Sequence, residues 1–335
     1  MGTFGGHAGA APLGSSGPLT PPRVSTIILN WNDASDTLIC LDSVLRSDYP
    51  NCQILVVDNG STDDSVSRIR AAYPWIELLE TGENLGYAGG NNVGIRHALE
   101  GGAEYVCILN NDVVVAPDFL TPLLAVLEGH PEVGVATPLI AEMAAPERVW
   151  ALGSVVDRYS GHVRRLHAGE QVAALRQQLP AEVEVASGAA MLVRREVLNS
   201  VGLLDDKFFL YYEETDWCLR VTASGYRIVA VPSSLILHKV SAALGESSPI
   251  IDYYMLRNHL RLVGRHWSGL QRVLVEARIV LRSLLTIAAY TVKPHGGLRT
   301  PHRNARLVAL RDALLGRWGK MGADVAELCC PEAAR

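Results

Sequence analysis

The chain has 335 residues and a formal net charge of −5, with 48% hydrophobic and 19% charged residues. This describes a globular protein with a sizeable core, either one large α/β domain with appendages or two domains. The acidic balance gives no general case for nucleic-acid binding, and six cysteines with no CxxC spacing argue for reduced thiols rather than a disulfide framework or zinc site.

Residues 1–22 are rich in Gly, Pro, Ala and Ser and read as a disordered tail. No signal-peptide pattern opens the chain, and no uncharged apolar run reaches the roughly 18 residues of a membrane span. VSTIILNW (24–31) reads as a strand, and Asp33 to Leu45 as a helix with Leu38, Leu41 and Leu45 on one face. CQILVVD (52–58) is the next strand, followed by a polar turn and a helix to about Ala72. Trp75–Leu79 and Tyr105–Leu109 read as strands, with a helix over 91–100 between them. Alternating strands and helices with apolar strand interiors predict an α/β fold, with a mostly parallel sheet covered by helices on both faces. Ligands of such sheets sit at the carboxyl ends of the strands.

The second half is more mixed. Residues 183–202 read as strand, turn and helix, and 226–240 as two short strands interrupted at Pro232. Helices are expected over 252–262, 270–292 and 305–318. From Tyr253 to Lys320 there are thirteen Lys/Arg against two acids, Glu276 and Asp312. A basic amphipathic extension on an acidic body suits an anionic surface such as lipid headgroups; an ordinary helix packed on the body fits the pattern equally well.

Polar clusters follow the strands: Asn30-Trp31-Asn32-Asp33, Asp58-Asn59-Gly60-Ser61, and Asn110-Asn111-Asp112. A further cluster, Asn84-Leu85-Gly86-Tyr87-Ala88-Gly89-Gly90, precedes a helix. Each alone can be a turn, a loop glycine or a helix cap. Asp112 is different, because it interrupts an otherwise apolar run, and an unpaired buried carboxylate is costly. Four such ends together fit a nucleotide and a hard cation, Mg2+ or Mn2+, held by carboxylate and substrate phosphates.

The blocks VVDNGSTDDS, NLGYAGGNNVGI, ILNNDVVV, SGAAMLVRREVLNSVGLLDDKFFLYYEETDWCLR, LILHKVSAALG and YYMLRNHLRLV occur in order between Val24 and Lys320. In them the chain resembles the family 2 glycosyltransferases of GT-A fold, particularly the bacterial rhamnosyltransferase-like members. The resemblance implies a catalytic domain over 23–250, with a nucleotide-sugar half to about 115 and an acceptor half after it. A helical extension over 251–320 and a tail over 321–335 complete the expected division.

The resemblance also implies roles. Asp58 is expected at the donor's base or ribose, with Asn30, Asn84, Gly86, Asn110 and Asn111 lining the nucleotide-sugar pocket. Asn110-Asn111-Asp112 is similar to the family's metal-binding Asp-x-Asp triplet with its first Asp replaced, leaving Asp112 and the late His238 as metal ligands. Ser187 and Gly188 are expected near the donor sugar and acceptor entrance. Glu214 takes the place of the family's base, with Glu213 and Asp216 in support and Asp216 as the alternative base. Tyr253, Arg257 and Asn258 are expected to contact diphosphate or acceptor.

The implied activity is inverting transfer of a hexose or deoxyhexose, with rhamnose the first candidate. The donor is a nucleotide-diphosphate sugar, and the acceptor a glycan or polyprenyl-diphosphate-linked molecule in cell-surface polysaccharide synthesis. The expected location is cytoplasmic, peripheral on the inner face of the plasma membrane. A non-catalytic sugar-binding protein of the same fold and a nucleotidyltransferase are the competing readings.

Overall fold

The computed structural model describes residues 20–239, 248–293 and 299–329. Most of the expected N-terminal tail, the SAALG end of the histidine block and the last residues of the chain lie outside that range. β1 (Val24–Asn30) leads into α1 (Ala34–Val44), β2 (Cys52–Asp58), α2 (Ser65–Ala72), β3 (Glu77–Glu80), α3 (Gly86–Glu100) and β4 (Tyr105–Asn110). Then come β5 (Val113–Val115), α4 (Leu120–Gly129), β6 (Val133–Glu142), β7 (Ala145–Ala151), β8 (Ser154–Val156) and β9 (Val163–Arg165). α5 (Val172–Leu175), β10 (Ala181–Val183), β11 (Ala190–Arg194), α6 (Arg195–Val201), α7 (Glu213–Ala223) and β12 (Arg227–His238) complete the sheet region. The extension holds α8 (Pro249–His266), α9 (Gly269–Val292), α10 (Thr300–Leu314) and α11 (Ala323–Cys329).

The main sheet runs β10-β12-β6-β11-β4-β1-β2-β3, with β5 added on β12 and β7 on β6. Its first half is parallel, because helical crossovers return the chain to the same edge. β1 is buried almost throughout, as a strand covered on both faces must be. The register places Asn30 opposite Asp58 and Leu29 opposite Asn110, so three polar strand ends meet along one rim.

The run YVCILNNDVVV is two strands, not one. β4 ends at Asn110, the chain turns through Asn111-Asp112, and β5 pairs antiparallel with the end of β12. His238 lies opposite Val113 in that pairing, which brings it beside Asp112.

Three expectations are corrected. β12 is a single strand, and the proline is absorbed by a register shift against β6 between Val231 and Leu235. α3 begins at Gly86 rather than Asn91. Its glycines bring helix and sheet into close contact, since a Cβ on Gly94 would lie 2.6 Å from Ile27 Cγ2. Helix α11 forms within the expected C-terminal tail because Val325 and Cys329 are buried and Asp324 pairs with Arg311 at 2.9 Å. One hydrophobic cluster runs from the sheet into α8, α9, α10 and α11.

Candidate active site

At the ends of β1 and β2 the polar side chains satisfy one another. Asn30 Nδ2 donates to Asp58 Oδ1 at 2.7 Å, and Thr37 Oγ1 donates to Asn30 Oδ1 at 2.7 Å. The Ser61 hydroxyl also donates to Asp58 Oδ1, at 2.6 Å, and its amide to Oδ2 at 2.9 Å. Asn30 is fully buried and Asp58 nearly so. Asn30 Nδ2 donates its second hydrogen to Ser61 Oγ at 3.1 Å, so this fully buried residue orients Asp58 and has no donor left to line a pocket. Oδ2, with one bond, retains acceptor capacity. Asn84 is half-buried, and its Oδ1 accepts from the Gly86 amide at 2.8 Å.

Beside this rim, Asp112 Oδ1 lies 3.1 Å from His238 Nε2. The imidazole is buried, its Nδ1 has no hydrogen-bond partner among the described residues, and Trp150 packs edge-on at 4.9 Å. Lys239 donates its backbone amide to Asp112 O at 2.9 Å and its ammonium to both Asp36 oxygens at 2.8 Å. Those contacts raise the Lys239 pKa, with the Asp36 hydrogen bond the largest cause. Asn111 reaches back to Thr37 Oγ1 at 3.1 Å, and Asn110 caps β4 half-buried.

The second acidic cluster lies across the site. α7 opens at Glu213-Glu214 directly after Tyr212, whose φ is +72°. A Cβ built on Gly188 would meet Tyr87 Oη at 3.2 Å and Glu214 Cγ at 3.7 Å, and Tyr87 Oη donates to Gly188 O at 2.5 Å. Burial pushes the Tyr87 hydroxyl pKa well up, and the charges of Glu213, Glu214 and Asp112 push it further. Tyr87 thus stands beside Glu214 at Gly188, and the next residue, Ala189, accepts the Asn110 amide at 3.0 Å from the turn that carries Asp112. Ser187, next to Gly188, accepts the Ala189 amide at 3.2 Å.

Glu213 is buried with Oε2 unpartnered, and desolvation reinforced by the Glu214 charge holds its pKa far above the carboxylate range. Glu214 is half-exposed, accepts from Thr215 Oγ1 at 3.1 Å, and is raised mainly by desolvation. Asp216 does not join them. It is fully buried, 3.0 Å from Arg220 Nε and 2.9 Å from His266 Nε2. Its Oδ2 is taken up by Arg220 of α7 itself and its Oδ1 by His266 of α8, which leaves no oxygen turned to the Glu213–Glu214 pair for the role of alternative base.

Tyr253, Arg257 and Asn258 are also displaced from their expected role. All three are buried. Tyr253 donates to Asp312 at 2.8 Å and accepts from Arg257 Nη1 at 3.0 Å. Asn258 Nδ2 approaches the carbonyls of Phe208, Leu210 and Tyr211 at 2.7–3.1 Å. Their donors are spent inside the protein: Tyr253 on Asp312 of α10, Arg257 on Tyr253, Asn258 and Phe208 O, and Asn258 on the loop that leads to Glu213. Gly86 packs against the same loop. Its φ is +75°, a Cβ there would lie 2.3 Å from Phe209 O, and the Tyr87 amide donates to that carbonyl at 2.7 Å.

Thr37, Tyr87 and Lys239 are site residues that the polar-cluster pattern did not single out. Tyr87 and Lys239 sit inside quoted blocks, and Thr37 lies one helical turn beyond Asp33 of the first polar cluster, which was the available signal.

The model of glycosyl transferase family 2 matches residues 25–202, more than half of the chain. The chain belongs to that family. This family 2 glycosyltransferase is 25% identical to the dTDP-rhamnosyl transferase RfbF of Shigella flexneri, over 78% of this chain and 86% of that one. It is 29% identical to the N-acetylglucosaminyl-diphospho-decaprenol L-rhamnosyltransferase of Mycobacterium tuberculosis H37Rv, over 70% and 83%. The mannosyltransferase PcManGT of Pyrobaculum calidifontis, solved with GDP-Man and Mn2+, superposes with a TM-score of 0.55 at 17% identity, covering 90% of this chain and 89% of that one. GalNAc-T7 superposes at 0.59 and 18% identity over 72% and 48%. These likenesses establish the GT-A fold of the glycosyltransferase.

Proposed function

We propose that this glycosyltransferase moves a deoxyhexose, with rhamnose the first candidate, from a nucleotide-diphosphate sugar to a polyprenyl-diphosphate-linked or glycan acceptor, with inversion. The observation that carries this reading is that both acidic clusters meet the Gly188–Ala189 segment: the Asn110 amide of the Asp112 turn donates to Ala189 O at 3.0 Å, and Gly188 lies against Tyr87 and Glu214. The two named relatives supply the sugar and acceptor classes.

In this reading the acceptor hydroxyl oxygen attacks the anomeric carbon. Its proton passes to the Glu214 carboxylate, and the bond from that carbon to the nucleotide diphosphate breaks with the electron pair leaving on phosphate oxygen. Desolvation makes Glu214 a stronger base than a solvated carboxylate. Burial and the neighbouring Glu214 charge disfavour the charged form of Glu213, which lowers the negative charge facing the reacting carbon.

Among the described residues no three His, Cys, Asp or Glu side chains form a closed metal cluster. One carboxylate faced at 3.1 Å by the Nε2 of one imidazole nevertheless fits a divalent cation that takes its other ligands from a diphosphate. Asp112 and His238 would hold it, with Asn110 as a weaker neutral neighbour. Bound there, the cation would neutralise charge on the departing diphosphate. Mn2+ and Mg2+ both suit this donor set.

The catalytic unit is read as 23–250, divided near 115, with the basic extension of 251–320 facing an anionic membrane on its cytoplasmic side. The test is nucleotide-diphosphate release from dTDP-, UDP- and GDP-sugars, with a membrane-lipid extract as acceptor source. Release from one donor, lost with chelator and in Asp112→Ala, supports the reading. Donor binding without release from any sugar supports the binding-protein alternative.

A further inference from the structure

Outside the catalytic rim, a cleft of about 300 Å³ opens between α8, α9, the start of α10 and the β8–β9 turn. Arg278, Arg282 and Arg306 line it, with Asp252 as the acid among them. Asp252 is already shared by His302 and Arg306. Arg278 spends one nitrogen on Tyr159 O at 3.0 Å, and the Arg282 guanidinium makes no hydrogen bond or ion pair among the described residues. Ser283, 2% exposed, has a hydroxyl with no partner, and so does the buried Nε of Arg306. Buried polar atoms are ordinarily satisfied. Here several line one cleft, together with an excess of positive charge.

The chemistry of the lining selects the ligand. Guanidinium groups pair with phosphate through parallel N–H bonds, and hydroxyls complete the shell. A cleft of this volume admits a diphosphate.

What lies beside the cleft narrows the choice further. α9 carries an exposed apolar row that includes Leu270, Leu274, Leu281 and Leu285. Residues three or four apart are neighbours on a helix. Arg278 therefore borders Leu274 and Leu281, and Arg282 borders Leu285. A molecule with its phosphates in the cleft has an apolar track within reach. On the inner side the wall is Tyr212, stacked on His259 at 5.3 Å, and Tyr212 is the residue that precedes Glu213 and Glu214.

We infer that this cleft holds the diphosphate of a lipid-linked acceptor, gripped by Arg278, Arg282, Arg306 and Ser283, with the lipid chain along α9. This deepens the proposed transferase reading and rests on it for the word acceptor. It gives the extension the diphosphate contact that Tyr253, Arg257 and Asn258 cannot make. Burial and the neighbouring His162 lower the His259 pKa to about 4, so that wall stays neutral and the arginines carry the charge.

The test is calorimetric binding to the full chain of three probes: farnesyl diphosphate, farnesol and inorganic diphosphate. Farnesyl diphosphate should bind tightest, and Arg278→Ala/Arg282→Ala should weaken it at least about tenfold, as expected for loss of charge-assisted bonds. Both arginines are solvent-exposed on α9, so the double variant should keep the wild-type melting temperature. Equal affinity for inorganic and farnesyl diphosphate would replace the lipid by free phosphate and overturn the proposal. So would undiminished farnesyl diphosphate binding by the double variant, or farnesol binding as well as its diphosphate. None of these probes needs donor or turnover. Failure of the donor assay with intact farnesyl diphosphate binding would therefore indict the transferase reading and not the cleft.

Discussion

Glu213 and Glu214 are chain neighbours with different fates, because one is sealed in and the other half-open. Both pKa values are raised from 4.5, so the acid side of the activity profile should move with them. A base works only when deprotonated. The acid limb of kcat/KM should therefore lie above the ordinary carboxylate range, with activity lost as pH falls through it. Glu214→Gln removes the base and should lower turnover by about 10²–10⁴-fold. A variant that keeps its turnover would exclude Glu214 as the base.

Glu213 makes a separate stability prediction. Its folded-state pKa lies above its unfolded value, so the unfolded chain gives up this proton first. The resulting cost is absent below about pH 4.5 and grows as pH rises towards the folded value. Glu213→Gln should accordingly raise the melting temperature more at pH 8 than at pH 5. An equal gain at both would mean that the carboxyl is not held neutral by its surroundings.

At the scale of elements, the loop into α7 is the part of this site that the sequence did not reveal. Phe209, Tyr211 and Tyr212 take φ values of +66°, +68° and +72°. Such conformations cost bulky residues about 1–3 kcal/mol each and persist only when neighbours over-determine them. The aromatic run FFLYY reads as apolar packing, and no periodicity reveals a left-handed backbone. Asn258, 47–50 residues away in sequence, shares the two hydrogens of its Nδ2 among three carbonyls of this loop. The blocks were visible and the strand ends correctly placed the Asn30–Asp58–Asn110 rim. The pattern could not show that Asn258 and Arg257 face inward, because a polar motif on an amphipathic helix looks the same on either side.

Asn258→Ala should leave those carbonyls under-satisfied and cost about 2–3 kcal/mol, read as a lower denaturant midpoint. Turnover should fall more than donor affinity, since the loop aims Glu214 and does not touch Asp58. Equal losses in both would argue for general unfolding. Gly86→Ala acts on the same junction from α3, where the added carbon meets Phe209 O.

Across the whole molecule, charge and apolar surface coincide on the extension. No helix among the described residues is long and apolar enough to cross a membrane. Yet α9 leaves Leu270, Val273, Leu274, Leu281, Leu284 and Leu285 exposed, beside arginines on the same helix. An ordinary packed helix would bury that stripe; here α9 turns only Val275, Ile279 and Ser283 fully inward. Basic residues near an anionic leaflet contribute about 1 kcal/mol each, and salt screens them within a Debye length of about 8–10 Å. Apolar insertion is far less salt-sensitive, so the two contributions separate. In flotation with phosphatidylglycerol vesicles, the protein should bind at low salt and bind less at 0.5 M, where the Debye length has shrunk to about 4 Å. Leu281→Glu/Leu285→Glu should abolish the salt-resistant remainder. A protein that stays in the soluble fraction at low salt would leave the stripe without a membrane role and return α9 to the status of a packed helix.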